Sequence, residues 1–374
     1  MKRVAIITNV IPSYRLAFYQ RLTKLENIEI KIYCQEQLKG VNLKLCHQEF
    51  TGHVELVPAL GLPRERVAWQ HLPVRKIIKE NDLCIFYGNP RVFSNVVWSC
   101  LFRLGGHKIA IWGQAHTAGA GGMTEKIRLY WWKLFRNIFV YSEAEVEYLR
   151  DLGFKAPNIV GMNNGLDQKA IERTRSAWTE VLLSEWKIEK RIDGKKLILS
   201  CARLEAKNEF FRVIEVLPGV VARNPDVLWC VIGAGKEMDS LQHLARAKGV
   251  SDHILWLGEL YEENELAPWF LSAQLMVHPS AIGLSLLHSF GYGLPVLTHD
   301  RSAFHMPEFS AMQDGETGFL YKEGDNSALQ TKIIEALEID DLSDMGYRAL
   351  ELVRTRYNVD YMVSQFCSFV NVSV

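Results

Sequence analysis

Short apolar runs alternate along the chain with longer stretches in which apolar residues recur every three or four positions. Apolar runs of about four to eight residues are typical of strands buried on both faces, and the longer stretches are typical of amphipathic helices. The alternation predicts βαβ units and parallel sheets. The predicted strands are 4–10, 28–34, 83–88, 108–113 and 137–142, then 196–202, 227–233, 254–258, 275–280 and 295–300.

A connector separates the two series of strands. It begins with the turn signal Asn-Asn-Gly at 163–165 and continues with polar and charged residues up to 195, a pattern typical of a linker that contains a helix. We therefore predict an α/β chain with two Rossmann-like domains, 1–160 and 161–345. The remaining segment, 346–374, carries aromatic residues at helical spacing. Because ligands of parallel sheets bind beyond the carboxyl ends of the strands, the expected site is a cleft across which the two domains face each other.

Composition and cysteine usage narrow the class of protein. The 374 residues are 48% apolar, which is enough for two cores. The seven cysteines are scattered without a CxxC pair, as is typical of reduced, buried thiols. No secretory signal is visible, and no apolar run reaches the ~18 residues that a spanning helix needs. These features predict a cytoplasmic protein, or one on the inner face of the cell membrane.

The balance of charges excludes a dedicated nucleic-acid binder, because 43 Lys plus Arg match 43 Asp plus Glu. The net charge of zero arises because the charges of the two halves of the chain cancel. Residues 1–160 hold 22 basic and 13 acidic residues, a net +9, and the remainder holds 21 and 30, a net −9.

A basic, aromatic segment at 124–139 contributes to the positive half. Cations interleaved with paired tryptophans suit a helix at an anionic lipid surface, and they equally suit a helix that buries its tryptophans against a sheet. The residues concerned are Lys126, Arg128, Lys133 and Arg136 with Trp131 and Trp132.

The stretch 254–300 carries the most specific pattern of the second half. A predicted strand ends at 278–280, and Gly283 opens a helix whose first turn includes Leu284 and Ser285. The unpaired N–H groups of a first helical turn are a phosphate site, and His288 lies one turn further on. An ordinary strand-to-helix turn with a structural histidine remains the alternative.

Two further loops follow strands of the second half. Arg203 and Lys207 lie four residues apart, and a guanidinium and an ammonium converging there would bind a diphosphate and offset its charge as a leaving group. Two solvated cations are the alternative. Gly233 and Gly235 lack the third glycine of a dinucleotide fingerprint, since Met238 stands there, so a nicotinamide site is disfavoured.

Strand ends of the first half offer four more candidates. Tyr14 and Arg15 follow a proline turn after the first strand, and Gln114 and His116 lie in a glycine-rich loop, 113–122. A histidine there can orient or polarise a hydroxyl. A purely structural histidine is the alternative.

Taken in order, these motifs resemble the nucleotide-sugar domain of glycosyltransferase family 4. The resemblance extends to Pro-Glu at 307–308 and DGETGFLY at 314–321. It spans nearly the whole chain, but the motifs of the first half are less specific than those of the second. It implies the two-domain GT-B fold, with a last helix that crosses back to the N-terminal domain. It also implies a retaining enzyme that transfers a sugar from a nucleotide-diphosphate donor to a saccharide acceptor in cell-surface polysaccharide synthesis, without a metal or other cofactor. We favour a lipid-linked acceptor, with peripheral membrane contact through 124–139.

The resemblance also assigns roles. Arg203, Lys207 and His116 would be catalytic, and donor binding would involve both cations together with Gly233, Gly235, Gly283, Leu284, Ser285 and His288. Tyr14, Arg15 and Gln114 would face the acceptor. The family's two glutamates, eight positions apart, are missing: the first falls near Ser280 in a shortened loop, and His288 replaces the second. Another GT-B enzyme, either an epimerase or an inverting transferase, and a degenerate nucleotide-sugar-binding scaffold therefore remain alternatives.

Overall fold

The computed structural model describes residues 1–37, 45–61, 67–116 and 122–373. The chain divides into two compact units, Met1–Leu166 with Asn358–Val374, and Asp167–Tyr357. Both unit boundaries lie several residues beyond the limits of 160 and 345 drawn from the sequence.

The first unit is built on a seven-stranded parallel sheet with the order β3-β2-β1-β6-β7-β8-β9. β4 and β5 form a separate antiparallel pair. The strands are β1 (Lys2–Ile7), β2 (Ile28–Cys34), β3 (Val54–Leu56), β4 (Ala59–Gly61), β5 (Ala68–Gln70), β6 (Leu83–Tyr87), β7 (Ile109–Trp112), β8 (Asn137–Val140) and β9 (Asn158–Gly161). The helices are α1 (Leu16–Leu22), α2 (Val74–Glu80), α3 (Phe93–Leu104), α4 (Met123–Trp132) and α5 (Glu143–Asp151).

Burial on both faces explains the continuous apolar runs of this sheet. In β1, Val4 and Ile6 pack into one hydrophobic cluster, and Ala5 and Ile7 pack into another on the opposite face. Successive side chains of a strand point to opposite faces, so a strand covered on both sides needs apolar residues at every position.

The second unit is a six-stranded parallel sheet with the order β12-β11-β10-β13-β14-β15. Its helices are α6 (Gln168–Ala177), α7 (Glu180–Glu189), α8 (Phe211–Arg223), α9 (Met238–Ala247), α10 (Glu263–Ser272), α11 (Leu284–Gly291), α12 (Asn326–Glu338) and α13 (Ser343–Thr355). The strands are β10 (Lys196–Cys201), β11 (Val227–Ile232), β12 (Ile254–Gly258), β13 (Ala273–Val277), β14 (Val296–His299) and β15 (Gly318–Tyr321). The two parallel sheets confirm the predicted α/β class, and all ten predicted strands are present.

The last helix, α14 (Val359–Ser373), packs on the first unit. Phe369 stacks on Phe139 with ring centroids 4.9 Å apart, and Phe366 lies against Trp112 at 6.5 Å. Arg21 pairs with Asp360. Of the segment 346–374, the part up to Thr355 therefore remains with the second unit, and only the part from Val359 joins the first.

The segment 124–139 differs from a single amphipathic helix. α4 ends at Trp132, and β8 begins at Asn137. Trp131 and Trp132 are buried and donate their indole N–H groups to Ser99 Oγ and the Gly88 carbonyl, both at 3.1 Å. The tryptophans thus serve the core, which was the alternative to a lipid contact.

The basic residues of that segment are likewise divided between the core and the exposed surface. Arg128 is buried and donates to the carbonyl of Ala115 at 2.9 Å. The exposed face of the segment instead carries Lys126 and Lys133 beside the apolar side chains of Met123, Ile127, Tyr130 and Leu134.

All seven cysteines are free; Cys34, Cys46, Cys84 and Cys230 are buried, and Cys100, Cys201 and Cys367 are half-buried. Within the described ranges, no helix combines the length and the apolar character required to cross a membrane.

Candidate functional site

The sheet of the second unit has its topological switch point between β10 and β13. From β10 the chain proceeds outward to β11 and β12, and it then returns to β13 on the other side of β10. The loops that leave these two strands diverge, and ligands of open parallel sheets bind in the crevice between them. Ser280 Oγ closes the base of this crevice, donating a hydrogen bond of 2.6 Å to the carbonyl of Lys207.

Arg203 and Lys207 converge in the loop 202–209 that follows β10. Their side chains are 60% and 73% exposed, and both approach Glu205, with Nη1 of Arg203 4.0 Å and Nζ of Lys207 3.0 Å from its carboxylate oxygens. The hydrogen bond from Lys207 and the two positive charges lower the pKa of Glu205. The structure thus gathers the two cations around one carboxylate, where a diphosphate would compete with Glu205 for the same donors.

Gly233 and Gly235 support this loop from beneath. A Cβ on Gly233 would lie 2.0 Å from the carbonyl oxygen of Ala202, and one on Gly235 would lie 2.2 Å from that of Leu204. Gly233 also has φ +138°, which favours glycine. Leu204 N donates to Ala234 O at 2.9 Å, which joins the two loops. The glycines therefore allow the close approach that positions Arg203, and their direct contact with a donor stays a prediction.

The N-terminus of α11 faces the same edge of the sheet. Gly283 is its N-cap and makes no side-chain capping bond, so the first-turn N–H groups near Leu284 and Ser285 have no side-chain cap. The short loop before Gly283 is held by Ile282, whose N–H donates to His305 Nδ1 at 3.1 Å. The first turn of α11 has the partial positive charge that attracts an anion.

A buried glutamate lies close to that helix end. Glu308 is 5% exposed, and its Oε2 is 3.5 Å from where a Cβ on Gly283 would be. The Pro-Glu pair at 307–308 belongs to the sequence pattern described above, but Glu308 was not predicted as a site residue.

His288, one turn along α11, contacts a second glutamate that the sequence analysis missed. Its Nε2 lies 2.8 Å from Glu263 Oε1, and the hydroxyl of Tyr292 donates to the same oxygen. The ring of Phe270 covers His288 at 4.6 Å. Burial opposes ionisation of Glu263, but its interactions with His288 and the hydrogen bond from Tyr292 outweigh it, so the pKa of Glu263 is lowered. Only the fold could reveal this pair, because the two residues are 25 positions apart.

The first unit has its own switch point between β1 and β6, and a cavity of about 120 Å³ lies there. Arg15 is buried beside it, with its guanidinium carbon 4.9 Å from the ring of Tyr141, 5.5 Å from that of Trp112 and 5.8 Å from that of Tyr14. Stacking of a guanidinium on aromatic faces fixes its plane. Tyr14 and Arg15 are therefore brought together at the lining of this small cavity.

Gln114 and His116 follow β7. The His116 ring lies 5.9 Å from that of Tyr148, its Nδ1 is 3.8 Å from Glu125 Oε1, and its backbone N–H donates to Glu145. Gln114 is half-buried. Residues 117–121 of the glycine-rich loop lie outside the described residues. Across the described chain, no group of three or more His, Cys, Asp or Glu is arranged to hold a metal ion. The catalytic roles assigned to His116, Arg203 and Lys207 stay predictions.

Comparisons with known proteins find a family match within the second unit. Residues 184–351 match the family Glycosyl transferases group 1. N-acetyl-alpha-D-glucosaminyl L-malate synthase of Bacillus anthracis is 24% identical over 46% of this chain and 45% of its own length. The lipopolysaccharide core biosynthesis glycosyltransferase LpsE of Rhizobium meliloti is 27% identical over 58% and 60%. The chain spans about half the length of the curated relatives it matches.

Solved structures extend the similarity to the entire fold. Anabaena Alr3699/HepE in complex with UDP superposes with a TM-score of 0.72 at 14% identity, covering 100% of both chains. A glycosyltransferase from Rickettsia africae ESF-5 gives 0.72 at 12% identity, covering 100% of this chain and 98% of that one. Such a likeness shows the GT-B fold of two Rossmann-like domains. The chain therefore has the GT-B fold, and its residues 184–351 are similar to the group 1 glycosyl transferases.

Proposed function

We propose that the protein is a retaining, metal-independent glycosyltransferase that transfers a sugar from a nucleoside-diphosphate sugar to a saccharide hydroxyl. The observation that carries the proposal is the convergence of Arg203 and Lys207 at the switch point of the second sheet, beside the N-terminus of α11. Two exposed cations and a helix N-terminus together suit a diphosphate, because each offers N–H donors to phosphate oxygens.

These groups act on the charge of the leaving group. In the transfer, the bond between the anomeric carbon and the diphosphate oxygen breaks, and the acceptor oxygen forms a new bond to that carbon on the same face. The acceptor proton passes to the departing phosphate oxygen. Arg203, Lys207 and the first turn of α11 stabilise the negative charge that builds on the diphosphate, a role otherwise open to a metal ion.

The names of the relatives support a choice of substrates. LpsE acts in lipopolysaccharide core biosynthesis, and HepE was crystallised with UDP and with UDP-glucose. We propose a UDP-sugar as the first donor to test and a cell-surface saccharide, lipid-linked, as the acceptor. Tyr14, Arg15, Gln114 and His116 of the first unit would bind that acceptor.

The proposed location is the cytoplasmic face of the membrane. The contact would not involve Trp131 and Trp132, which are buried, but the exposed face of α4 with Lys126, Tyr130 and Lys133. Basic residues beside exposed apolar side chains bind anionic lipid headgroups.

The test begins with a thermal-shift screen of UDP-, GDP- and dTDP-sugars, since ligand at about 100 times its dissociation constant stabilises by about 2.7 kcal/mol. Arg203→Ala and Lys207→Ala are each expected to lose about 2–4 kcal/mol of transition-state stabilisation, on the order of 30- to 1,000-fold in turnover. Arg223→Ala is the matched control. Arg223 is the last residue of α8, its side chain is 68% exposed, and it pairs with Glu338. Unchanged transfer in both site variants would refute the assignment.

The absence of both family glutamates favours a second candidate, a nucleotide-sugar-binding subunit without transferase activity. Tight nucleotide binding without transfer or hydrolysis, over a broad panel of donors and acceptors, would support it. If a product forms, its anomeric configuration separates a retaining enzyme from an inverting one, and a changed sugar without transfer would indicate an epimerase.

A further inference from the structure

The resemblance implies that the second family glutamate holds the ribose hydroxyls of the donor nucleotide, and in α11 His288 stands at its position. A carboxylate offers two oxygen acceptors to the vicinal hydroxyls of a ribose, whereas a neutral imidazole offers one acceptor nitrogen. In the described chain, however, His288 is bonded to Glu263, which comes from the first position of α10. A carboxylate is therefore present at this place, supplied by another element.

We propose that Glu263 and His288 together bind the ribose hydroxyls of the nucleotide donor, and that Glu263 thus replaces the glutamate that the sequence lacks at position 288. This inference rests on the proposed function, because it assumes that the second unit binds a nucleoside diphosphate.

The location of Glu263 agrees with this role. It begins α10 directly beyond the carboxyl end of β12, and its charge adds to burial in raising the pKa of the Cys201 thiol, at the end of β10, to about 12. The helix α10 contacts β10, the strand that precedes Arg203, and Glu263 itself is hydrogen-bonded to α11 through His288. His288 is four residues beyond Leu284, about 6 Å along the helix. A ribose attached to a diphosphate at the helix N-terminus would extend over a similar distance.

The hydrogen bonds of the pair leave two acceptors available. Oε1 of Glu263 receives bonds from His288 Nε2 and Tyr292 Oη. A carboxylate that accepts from Nε2–H fixes the imidazole in the tautomer whose Nδ1 is an acceptor. Among the described residues, neither this Nδ1 nor Oε2 of Glu263 has a hydrogen-bond partner, and neither belongs to the buried unpaired atoms.

The pair is held in a fixed orientation. The ring of Phe270 lies 4.6 Å from that of His288 and stacks on that of Tyr292 at 5.2 Å. Phe270 therefore packs against both side chains that bond to Glu263. His288 has a side chain 16% exposed and Glu263 one 34% exposed. Partial burial strengthens their hydrogen bonds while one side remains open to a ligand.

The experiment compares a ribonucleotide with its deoxy counterpart by isothermal titration. The probes are UDP with 2′-deoxy-UDP, and GDP with 2′-deoxy-GDP, each titrated into the full-length protein. The wild-type protein is expected to prefer one ribonucleotide over its 2′-deoxy form by about tenfold or more, the effect of one hydrogen bond to a charged group. Glu263→Ala is expected to weaken binding of that ribonucleotide to the level of the deoxy form, so that the preference disappears.

Three variants separate ribose binding from a structural effect. Glu263→Gln keeps the size of the side chain, and it is expected to reduce the preference while leaving the melting temperature unchanged. Glu265→Ala is the matched control, because it removes an exposed carboxylate from the same turn of α10 and should preserve the preference. The double variant Glu263→Ala with His288→Glu should restore it, because a carboxylate at position 288 can bind the diol directly.

Different results overturn different claims. If the folded wild-type protein binds the nucleotides but Glu263→Ala and Glu263→Gln keep the full ribose preference, the inference on Glu263 is wrong and the proposed function stands. A wild-type protein that binds the ribonucleotide and its deoxy form equally also overturns the inference. If the folded wild-type protein binds no nucleoside diphosphate, the proposed function fails, and this inference fails with it.

Discussion

Replacing Gly235 by alanine tests whether the two glycines position the cationic loop 202–209. The added Cβ would lie 2.2 Å from the carbonyl oxygen of Leu204 and 2.6 Å from its carbon, and both atoms belong to the backbone. No side chain can rotate away to relieve that contact. The loop that carries Arg203 must instead move by about 1 Å, since real Cβ contacts are essentially never shorter than 3.0 Å.

The size of the effect follows from this displacement. Overpacking of this kind costs about 1–3 kcal/mol of folding stability, and misplacing a charged group by about 1 Å lowers turnover by on the order of a hundredfold. Gly235 has no positive φ, so the steric contact alone causes the change.

The assay measures sugar transfer, the dissociation constant of the nucleoside diphosphate and the unfolding midpoint in denaturant. Gly61→Ala is the control, because a Cβ there meets nothing within 4 Å. We expect Gly235→Ala to lose both affinity and turnover while Gly61→Ala loses neither. Wild-type turnover and stability in Gly235→Ala would refute the idea that Gly235 determines the position of Arg203.

Three further predictions concern acid stability, the buried side of α4 and its exposed side. Burial lowers the pKa of His305 from the ordinary value of 6.5 to about 3, so between these pH values the unfolded chain binds more protons than the folded one. The stability contributed by neutral His305 should therefore be present above pH 6.5 and be lost as the pH falls towards 3. His305→Asn should flatten that part of a plot of stability against pH. A curve as steep as that of the wild type would contradict this. Trp132→Ala should cost about 3–5 kcal/mol of stability because its side chain is fully buried. By contrast, the triple variant Tyr130→Ser, Lys126→Ser and Lys133→Ser should keep its stability and lose binding to liposomes containing anionic lipid; undiminished binding would remove α4 as the membrane contact.

The strands and the class of fold could be predicted from local sequence because their signal is local. The run Lys196–Cys201 became β10, and the next predicted run along the chain became β11, which pairs with it. Five strands were not predicted: β3, β4 and β5 have only three residues each, and β9 and β15 each include a glycine, a residue depleted in strands, among their four residues. The segment 124–139 was ambiguous for a different reason: an amphipathic helix has the same spacing whether its tryptophans face lipid or a sheet.

For the candidate site, the sequence indicated residues that lie close together along the chain. Arg203 and Lys207 are four positions apart, and Gly283 marks the start of α11, so both features were visible as motifs. Glu263 carried no such signal, because it is one of several glutamates in a polar stretch. Its contact with His288 depends on how α10 and α11 pack beside each other, which no spacing along the chain expresses.

The sequence by itself determined the alternating α/β pattern, the two Rossmann-like units and the identity of the cations that follow β10, because these depend on neighbouring residues. Tertiary structure alone decided that Trp131 and Trp132 belong to the core, that Gly235 contacts the loop of Arg203, and that Glu263 of α10 meets His288 of α11. These features arise where chain segments distant in sequence come into contact, and van der Waals exclusion and hydrogen-bond geometry act between atoms in space.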